Sequence, residues 1–385
     1  MHFSVLSSAF VATLVGFAGT LALVVAAAQA VGATPAQTVS WITAISAVKA
    51  LESGWLSWRY RMPIITAWST AGAALIGASV GVTLDAAVGA FLLTAALVMA
   101  TALVGPLGRA VERIPMPVAS GMLAGILLPF VLAAFRALPG APLLTLVMIA
   151  TYALVRPVSP LFAVVAVLVV GIALAFALGL VDLPALAFTA PTLQFVEPRF
   201  DLGVLLGLGV PLYLVTMASQ NLPGFAVLRA SGYQPPVAAS LLVTGGGSAL
   251  SAFFGAHTTN LAAITAALCT GPDVHADPAQ RWRAGIAYMT FWMTLAILGA
   301  SCVALLAALP PQFVAVVVGL ALLGPLLGSL GGAMQDESLR YPALLTFAVT
   351  ASGVSFFGIG AAFWGLVAGL GALGVDAAVR RVRGR

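Results

Sequence analysis

Residues 253–265 read Phe-Phe-Gly-Ala-His-Thr-Thr-Asn-Leu-Ala-Ala-Ile-Thr, which sets Gly255, His257, Thr258, Thr259 and Asn260 inside an otherwise apolar run. The threonines and Asn260 offer hydrogen bonds. His257 offers the side chain that most readily exchanges a proton near neutral pH. Its competing role is that of a neutral hydrogen-bonding group that holds a broken helix in shape. His257 is the one histidine within an apolar run, since His2 is terminal and His275 lies in a polar segment. A second polar insert, Met217-Ala218-Ser219-Gln220-Asn221-Leu222-Pro223-Gly224, puts two adjacent amides beside a Pro-Gly break. The chain stays apolar from there to Arg229, so Gln220 and Asn221 are expected to face an internal cavity rather than an interface. Gln29 is a similar but more peripheral candidate. A third insert, Met62-Pro63-Ile64-Ile65-Thr66-Ala67-Trp68-Ser69-Thr70, ends in two hydroxyls that suit the start of a helix. For every Ser and Thr here, the competing role is back-bonding to the preceding helical turn.

No constellation points to chemistry on a substrate. There is no Walker loop, no H-E-x-x-H and no G-x-S-x-G, and Cys269 and Cys302 both sit in apolar runs. With three histidines and two cysteines, neither a metal cluster nor a disulfide framework is expected, and no cofactor is implied. Gly245-Gly246-Gly247, Gly121-x-x-x-Gly125 and Gly324-x-x-x-Gly328 read as close helix contacts. Glu52 falls at the end of an apolar segment, where pairing with Lys49 three residues earlier is its expected role. Asp336 and Glu337 fit either an inner gate or a solvated loop.

The elements that carry these residues follow from composition. The 385 residues are 62% hydrophobic and 7% charged, with a mean hydropathy of +1.12. Soluble domains carry about 25% charged residues, so this is a polytopic membrane protein in contact with the lipid bilayer. The pI near 9.7 does not mark a nucleic-acid binder, because the basic residues are scattered singly between apolar segments. The first apolar run lacks a basic leader region, and Ala28-Gln29-Ala30 only loosely resembles a cleavage site; a retained first span is expected. Punctuation by Pro, Gly and charge gives fourteen segments: 8–31, 36–53, 62–79, 84–105, 115–136, 141–154, 158–179, 202–221, 234–250, 254–270, 283–307, 311–331, 339–353 and 356–378. With the N-terminus inside, fourteen Lys and Arg residues, from Lys49 to Arg385, fall on the cytoplasmic side, and only Arg136 and Arg199 fall outside. That bias supports the count and puts both termini in the cytoplasm.

Fourteen spans divide into seven and seven, and an odd number per half inverts the halves. A constant offset of 191 pairs Gln29 with Gln220, Thr66 with His257, and Ser69 with Asn260. The expected fold is therefore an all-α polytopic membrane protein with about fourteen spans in an inverted repeat. Short extended strands are expected to break spans three and ten. Helices would resume near Ser69 or Thr70 and near Thr258 to Asn260, aiming two positive dipole ends at one point. Such a point suits an anion or a polar acceptor. The expected ligand contacts are Gln29, Ser69, Thr70, Gln220, Asn221, Gly255, Thr258, Thr259 and Asn260, with His257 as the candidate for proton coupling.

The stretch Ser57–Thr70 resembles a signature of the BenE benzoate/proton symporter family. Gly255-Ala256-His257-Thr258-Thr259-Asn260-Leu261-Ala262-Ala263-Ile264-Thr265-Ala266-Ala267 is similar to a second signature, and Ser219–Gly224 to a third. The resemblance covers essentially the whole chain and extends distantly to nucleobase–ascorbate and sulfate transporters. It implies a core domain from residues 1–110 and 201–308 and a gate domain from 111–200 and 309–385. It also implies a bacterial cytoplasmic membrane location and uptake of a benzoate-like carboxylate with a proton. Nucleobase transporters use acidic residues in spans eight and ten, where this chain holds Ser219 or Gln220 and Thr259. Another small anion, a nucleobase, or an anion channel are the alternatives. The helix interfaces permit a homodimer without requiring one.

Overall fold

The computed structural model describes residues 3–18, 20–104, 115–160, 162–181 and 191–382; His2, Arg109, Arg113, Arg383 and Arg385 lie outside them. The first half contains α1 (Phe3–Ala18), α2 (Leu21–Ala30), α3 (Pro35–Tyr60), β1 (Thr66–Trp68), α4 (Thr70–Gly77), α5 (Leu84–Leu103), α6 (Met116–Arg136), α7 (Pro142–Val155) and α8 (Ala163–Ala177). The second half contains α9 (Leu202–Ala230), α10 (Val237–Ala252), β2 (Thr259–Leu261), α11 (Ile264–Thr270), α12 (Arg283–Ile297), α13 (Gly299–Ala307), α14 (Pro311–Met334), α15 (Arg340–Ala351) and α16 (Ala361–Val382). Helices dominate because a helix satisfies its own backbone in hydrocarbon. Among the described residues, six helices can cross a bilayer by length and composition, or seven if the pair Pro278–Ile297 and Gly299–Ala307, bent by 58°, is one span. α7, α8 and α10 are apolar but shorter.

Three expectations are corrected here. The second segment does not end at residue 53. α3 starts in a capping box in which the Thr34 side chain and Gln37 satisfy each other's backbone, and it stops at Arg61, whose φ of 55° is left-handed. Lys49 and Glu52 therefore lie in the body of a 26-residue helix, and Lys49 leaves the tally of topology signals. The helix after β2 starts at Ile264 rather than near Thr258, because residues 259–261 are committed to strand pairing. Span eleven is broken at Leu298.

α9 contains two π turns, Leu205–Gly209 and Met217–Asn221, each shortly before a proline, Pro211 and Pro223. Proline cannot donate a helix hydrogen bond and crowds the carbonyl four residues back, and a wider turn relieves that clash. Gly121 and Gly125 on α6 pack against α15, where a Cβ on Gly125 would lie 2.6 Å from the Thr350 Cβ. Gly245 packs on Met99 of α5, and Gly247 packs on Val48 and Glu52 of α3. Gly324 and Gly328 on α14 differ from expectation: among the described residues nothing lies within 4 Å of a Cβ built on either, so they make no helix contact there. Asp336 and Glu337 are exposed in a short turn, where Asp336 accepts from Ser338 N–H at 2.9 Å and Glu337 pairs with Arg340 at 3.6 Å. The core around the strands is built from large side chains such as Trp41, Ile42, Ile45, Phe91 and Trp292, all fully buried.

Candidate functional site

The two strands pair antiparallel, with Thr66 opposite Leu261, Ala67 opposite Asn260 and Trp68 opposite Thr259. The ladder closes symmetrically: Ser69 N–H donates to Thr258 O at 3.0 Å, and Ala262 N–H donates to Ile65 O at 2.8 Å. Each strand is also stitched to the helix before it in the same way. Thr66 N–H donates to Ser53 Oγ at 2.9 Å, and the Thr66 hydroxyl donates to Lys49 O at 2.8 Å. Thr259 N–H donates to Ser248 Oγ at 2.9 Å, and the Thr259 hydroxyl reaches Thr244 O at 3.1 Å. Locally, then, α3 with β1 and α10 with β2 are related by a two-fold. Thr66 matches Thr259, 193 residues on, and Ser53 matches Ser248, 195 residues on. The offset of 191 is overturned at this point: Thr66 does not match His257, nor Ser69 match Asn260.

The expected polar residues converge on this crossing. Ser69 caps α4 by accepting from Gly72 N–H at 3.0 Å, and its hydroxyl meets Thr216 Oγ1 at 3.1 Å. Thr216 in turn meets Thr258 Oγ1 at 3.3 Å. Asn221 Oδ1 accepts from Leu261 N–H at 2.9 Å and so ties α9 to β2. Asn260, with its amide turned to satisfy both ends, donates to Leu261 O at 2.9 Å and accepts from Ser69 N–H at 3.0 Å. All of these side chains are fully buried.

His257 is committed on both sides. Trp41 Nε1–H donates to its Nδ1 at 2.9 Å, and indole nitrogen can only donate. The proton must therefore sit on Nε2, which donates to Ser69 O at 3.1 Å. A second proton, on Nδ1, would point at a donor. The hydrogen bonds fit a strut that joins α3, the β2 approach and the start of α4.

Other candidates fall outside the network. Gly255 has φ 84° and ends α10 in a Schellman turn, with its N–H on Ala252 O at 2.9 Å and Ala256 N–H on Ser251 O at 3.2 Å; its role is that turn. Gln29 is exposed at the end of α2 and is not brought to the crossing. Thr70 and Gln220 border it half-buried, and neither side chain has a hydrogen-bond partner among the described residues. Gln220 lies within the second π turn of α9, a local irregularity frequent at functional sites. A cavity of about 270 Å³ lies beyond the other end of α4, among α4, α6, α9, α15 and α16; Leu75, Ile126, Pro129, Gly207 and Thr350 line it.

The largest difference from expectation is at Lys49 and Glu52. They do not form an ion pair: the pairs found among the described residues are Arg199–Asp85 and Arg340–Glu337. The Lys49 ammonium sits 2.9 Å from the Trp292 ring centre and 3.8 Å from that of Trp68. Glu52 Oε1 accepts from the Thr259 hydroxyl at 2.7 Å, and Oε2 is buried without a hydrogen-bond partner among the described residues. Both residues are at most 5% exposed. Sequence reasoning also leaves out Thr216, Trp41, Thr244 and Ser248. A signal exists for α3: Ser46, Lys49, Ser53 and Ser57 recur at helical spacing and make one polar stripe.

Known proteins resemble the chain over nearly its full length. The family model described as benzoate membrane transport protein, BenE, matches residues 1–375. The inner membrane protein YdcO of Escherichia coli K12 is 39% identical over 365 residues, covering 94% of this chain and 93% of that protein. A benzoate membrane transport protein of Acinetobacter baylyi is 37% identical over 362 residues, covering 94% and 92%. Among solved structures, the transmembrane domain of the cyanobacterial bicarbonate transporter BicA superposes with a TM-score of 0.63 at 18% identity, over 92% of this chain and 99% of that one. SLC26A9 gives 0.65 at 13% identity, over 98% and 66%. At these identities the two structures speak for the fold alone. With this match over nearly its full length, the chain is a membrane transporter and belongs to the BenE family.

Proposed function

We propose that the protein imports benzoate or a related aromatic carboxylate together with a proton across the bacterial cytoplasmic membrane. The observation that carries this reading is the antiparallel strand crossing. It starts a half-helix at Ser69, leaves Thr70 and Gln220 beside it without a side-chain partner among the described residues, and sets the Lys49 charge behind it. The free N–H groups at the α4 start, Thr70 and Gln220 would receive the carboxylate, and surrounding apolar side chains the ring. In a low-dielectric site, a fixed cation favours an anion far more than in water. The family relatives support the aromatic acid.

Transport would proceed by alternating access. Residues 1–110 and 201–308 would form a core that moves against a gate of 111–200 and 309–385. Fourteen spans, both termini in the cytoplasm, are the reading that fits the charge count and the local two-fold of the strand crossing. The test is thermal stabilisation of the purified protein by a panel of aromatic acids, uracil and sulfate at two pH values. A ligand that binds the folded state raises its melting temperature by linkage. Benzoate-like acids are expected to stabilise it. Stabilisation by uracil or sulfate alone would move the assignment to a nucleobase or an inorganic anion.

A further inference from the structure

Lys49 and Glu52 lie one turn apart on α3, and they grip the two members of a single cross-strand pair. Lys49 lies over Trp68, Glu52 is bonded to Thr259, and Trp68 faces Thr259 in the ladder. The local two-fold makes this a broken symmetry. The α10 positions matching Lys49 and Glu52, by the 195-residue spacing of Ser53 and Ser248, are Thr244 and Gly247. Both charges thus belong to one half, and Gly247 leaves the space that the Glu52 carboxyl fills. A buried charge is expensive unless paired, so two that are not ion-paired to each other require an account.

We infer that Glu52 carries the coupled proton and that its protonation unmasks Lys49 as the counter-charge for the substrate; this rests on the proton-coupled reading above. The network accepts either state of Glu52. When the carboxylate is ionised, the Thr259 hydroxyl donates to it at 2.7 Å. When it is protonated, the acid can donate to Thr259 Oγ1, whose hydrogen then turns to Thr244 O at 3.1 Å. The bare Oε2 is better tolerated on a neutral acid than on a carboxylate. His257 has no such freedom, because a second ring proton would face the Trp41 donor. Among the described residues, the ionisable groups facing the strand crossing beside Glu52 are Lys49 on its own helix, Tyr288 of α12, which donates to Thr66 O at 3.2 Å, and His257, which bonds Ser69 O ahead of β2. α10 presents hydroxyls and glycine but no ionisable side chain.

The step balances simply. A proton adds to a Glu52 carboxylate oxygen from one side of the membrane and leaves to water on the other; only that O–H bond forms and breaks. With Glu52 ionised, the pair sums to zero. With Glu52 protonated, the pair carries one positive charge, which the substrate carboxylate neutralises. Proton and anion binding then favour each other reciprocally.

The test compares wild type with Glu52→Gln, which mimics the protonated state. In wild type, benzoate affinity should rise by at least about fivefold as pH falls, the low end of typical coupling. In Glu52→Gln that rise should vanish beyond benzoate's own titration. In proteoliposomes the expected signature is a split: benzoate counterflow persists, and accumulation driven by a pH gradient is lost. Wild-type accumulation by Glu52→Gln overturns the inference.

A chemical measurement on the wild type keeps the question decidable if the variant does not fold. Glu52 borders a groove of about 550 Å³ that opens between exposed Leu51, Trp55 and Trp58, within reach of a lipid-soluble carbodiimide. Dicyclohexylcarbodiimide reacts selectively with protonated carboxyl groups, because the acid proton moves to a carbodiimide nitrogen as the carboxyl oxygen adds to the central carbon. Peptide mass analysis should find the adduct on Glu52, increasingly at lower pH. Labelling that is absent or independent of pH overturns the inference. A wild type that neither binds nor exchanges benzoate refutes the proposed function instead, and the labelling still decides whether Glu52 takes up a proton.

Discussion

At the scale of single residues, the site is a closed set of hydrogen bonds with little slack. Thr216 bridges Ser69 and Thr258, so Thr216→Val leaves two buried hydroxyls short of a partner. We expect a stability loss of about 1–3 kcal/mol, read as a lower denaturation midpoint, with weaker benzoate binding. His257→Asn should cost a similar amount, about 1–3 kcal/mol, by stranding the Trp41 N–H. It should leave the ratio of pH-driven accumulation to counterflow unchanged. Loss of accumulation with counterflow intact would instead make His257 the proton carrier. Polar residues stand out in an apolar run, and for that reason the insert from His257 to Asn260 can be read from sequence. Lys49 and Glu52 cannot be read so easily. A Lys and a Glu three residues apart, close to Arg59 and Arg61, look like the end of a span. Only the continuation of α3 to Tyr60 turns them inward.

At the scale of elements, the strand pair is held as much by its supporting helices as by its own ladder. Ser53 on α3 and Ser248 on α10 each accept a strand N–H that has no water to turn to. Ser53→Ala and Ser248→Ala should each destabilise by about 1–3 kcal/mol. Because the two sites are related by the local two-fold, the losses should be similar, which paired melting curves can check. The break in span three is legible because Pro63 and the β-branched Ile64, Ile65 and Thr66 disfavour a helix, and Ser69 is a good cap. The delayed start of α11 is not legible. Thr258 to Asn260 look like a cap as well, and only the partner strand, almost two hundred residues earlier, recruits residues 259–261 into a ladder.

At the scale of the whole molecule, the composition alone places the chain in a membrane, and the scattered basic residues suggest its topology. The helix contacts between the two proposed domains are a matter of packing that sequence does not reveal. α9 and the segment leading into α16 approach closely at Gly207, where a Cβ would lie 2.7 Å from Gly360 N and 3.0 Å from Ile359 Cα. Overpacking there costs about 1–3 kcal/mol. If this contact belongs to one of two alternating states, Gly207→Ala should slow counterflow about tenfold while benzoate still stabilises the protein. Unchanged turnover would place the moving boundary elsewhere. The most direct test of the account is counterflow of labelled benzoate in proteoliposomes that contain the purified protein. Saturable exchange is expected, competed by aromatic carboxylates and not by uracil or sulfate. Conductance without saturable exchange, or equal competition by sulfate, would contradict it.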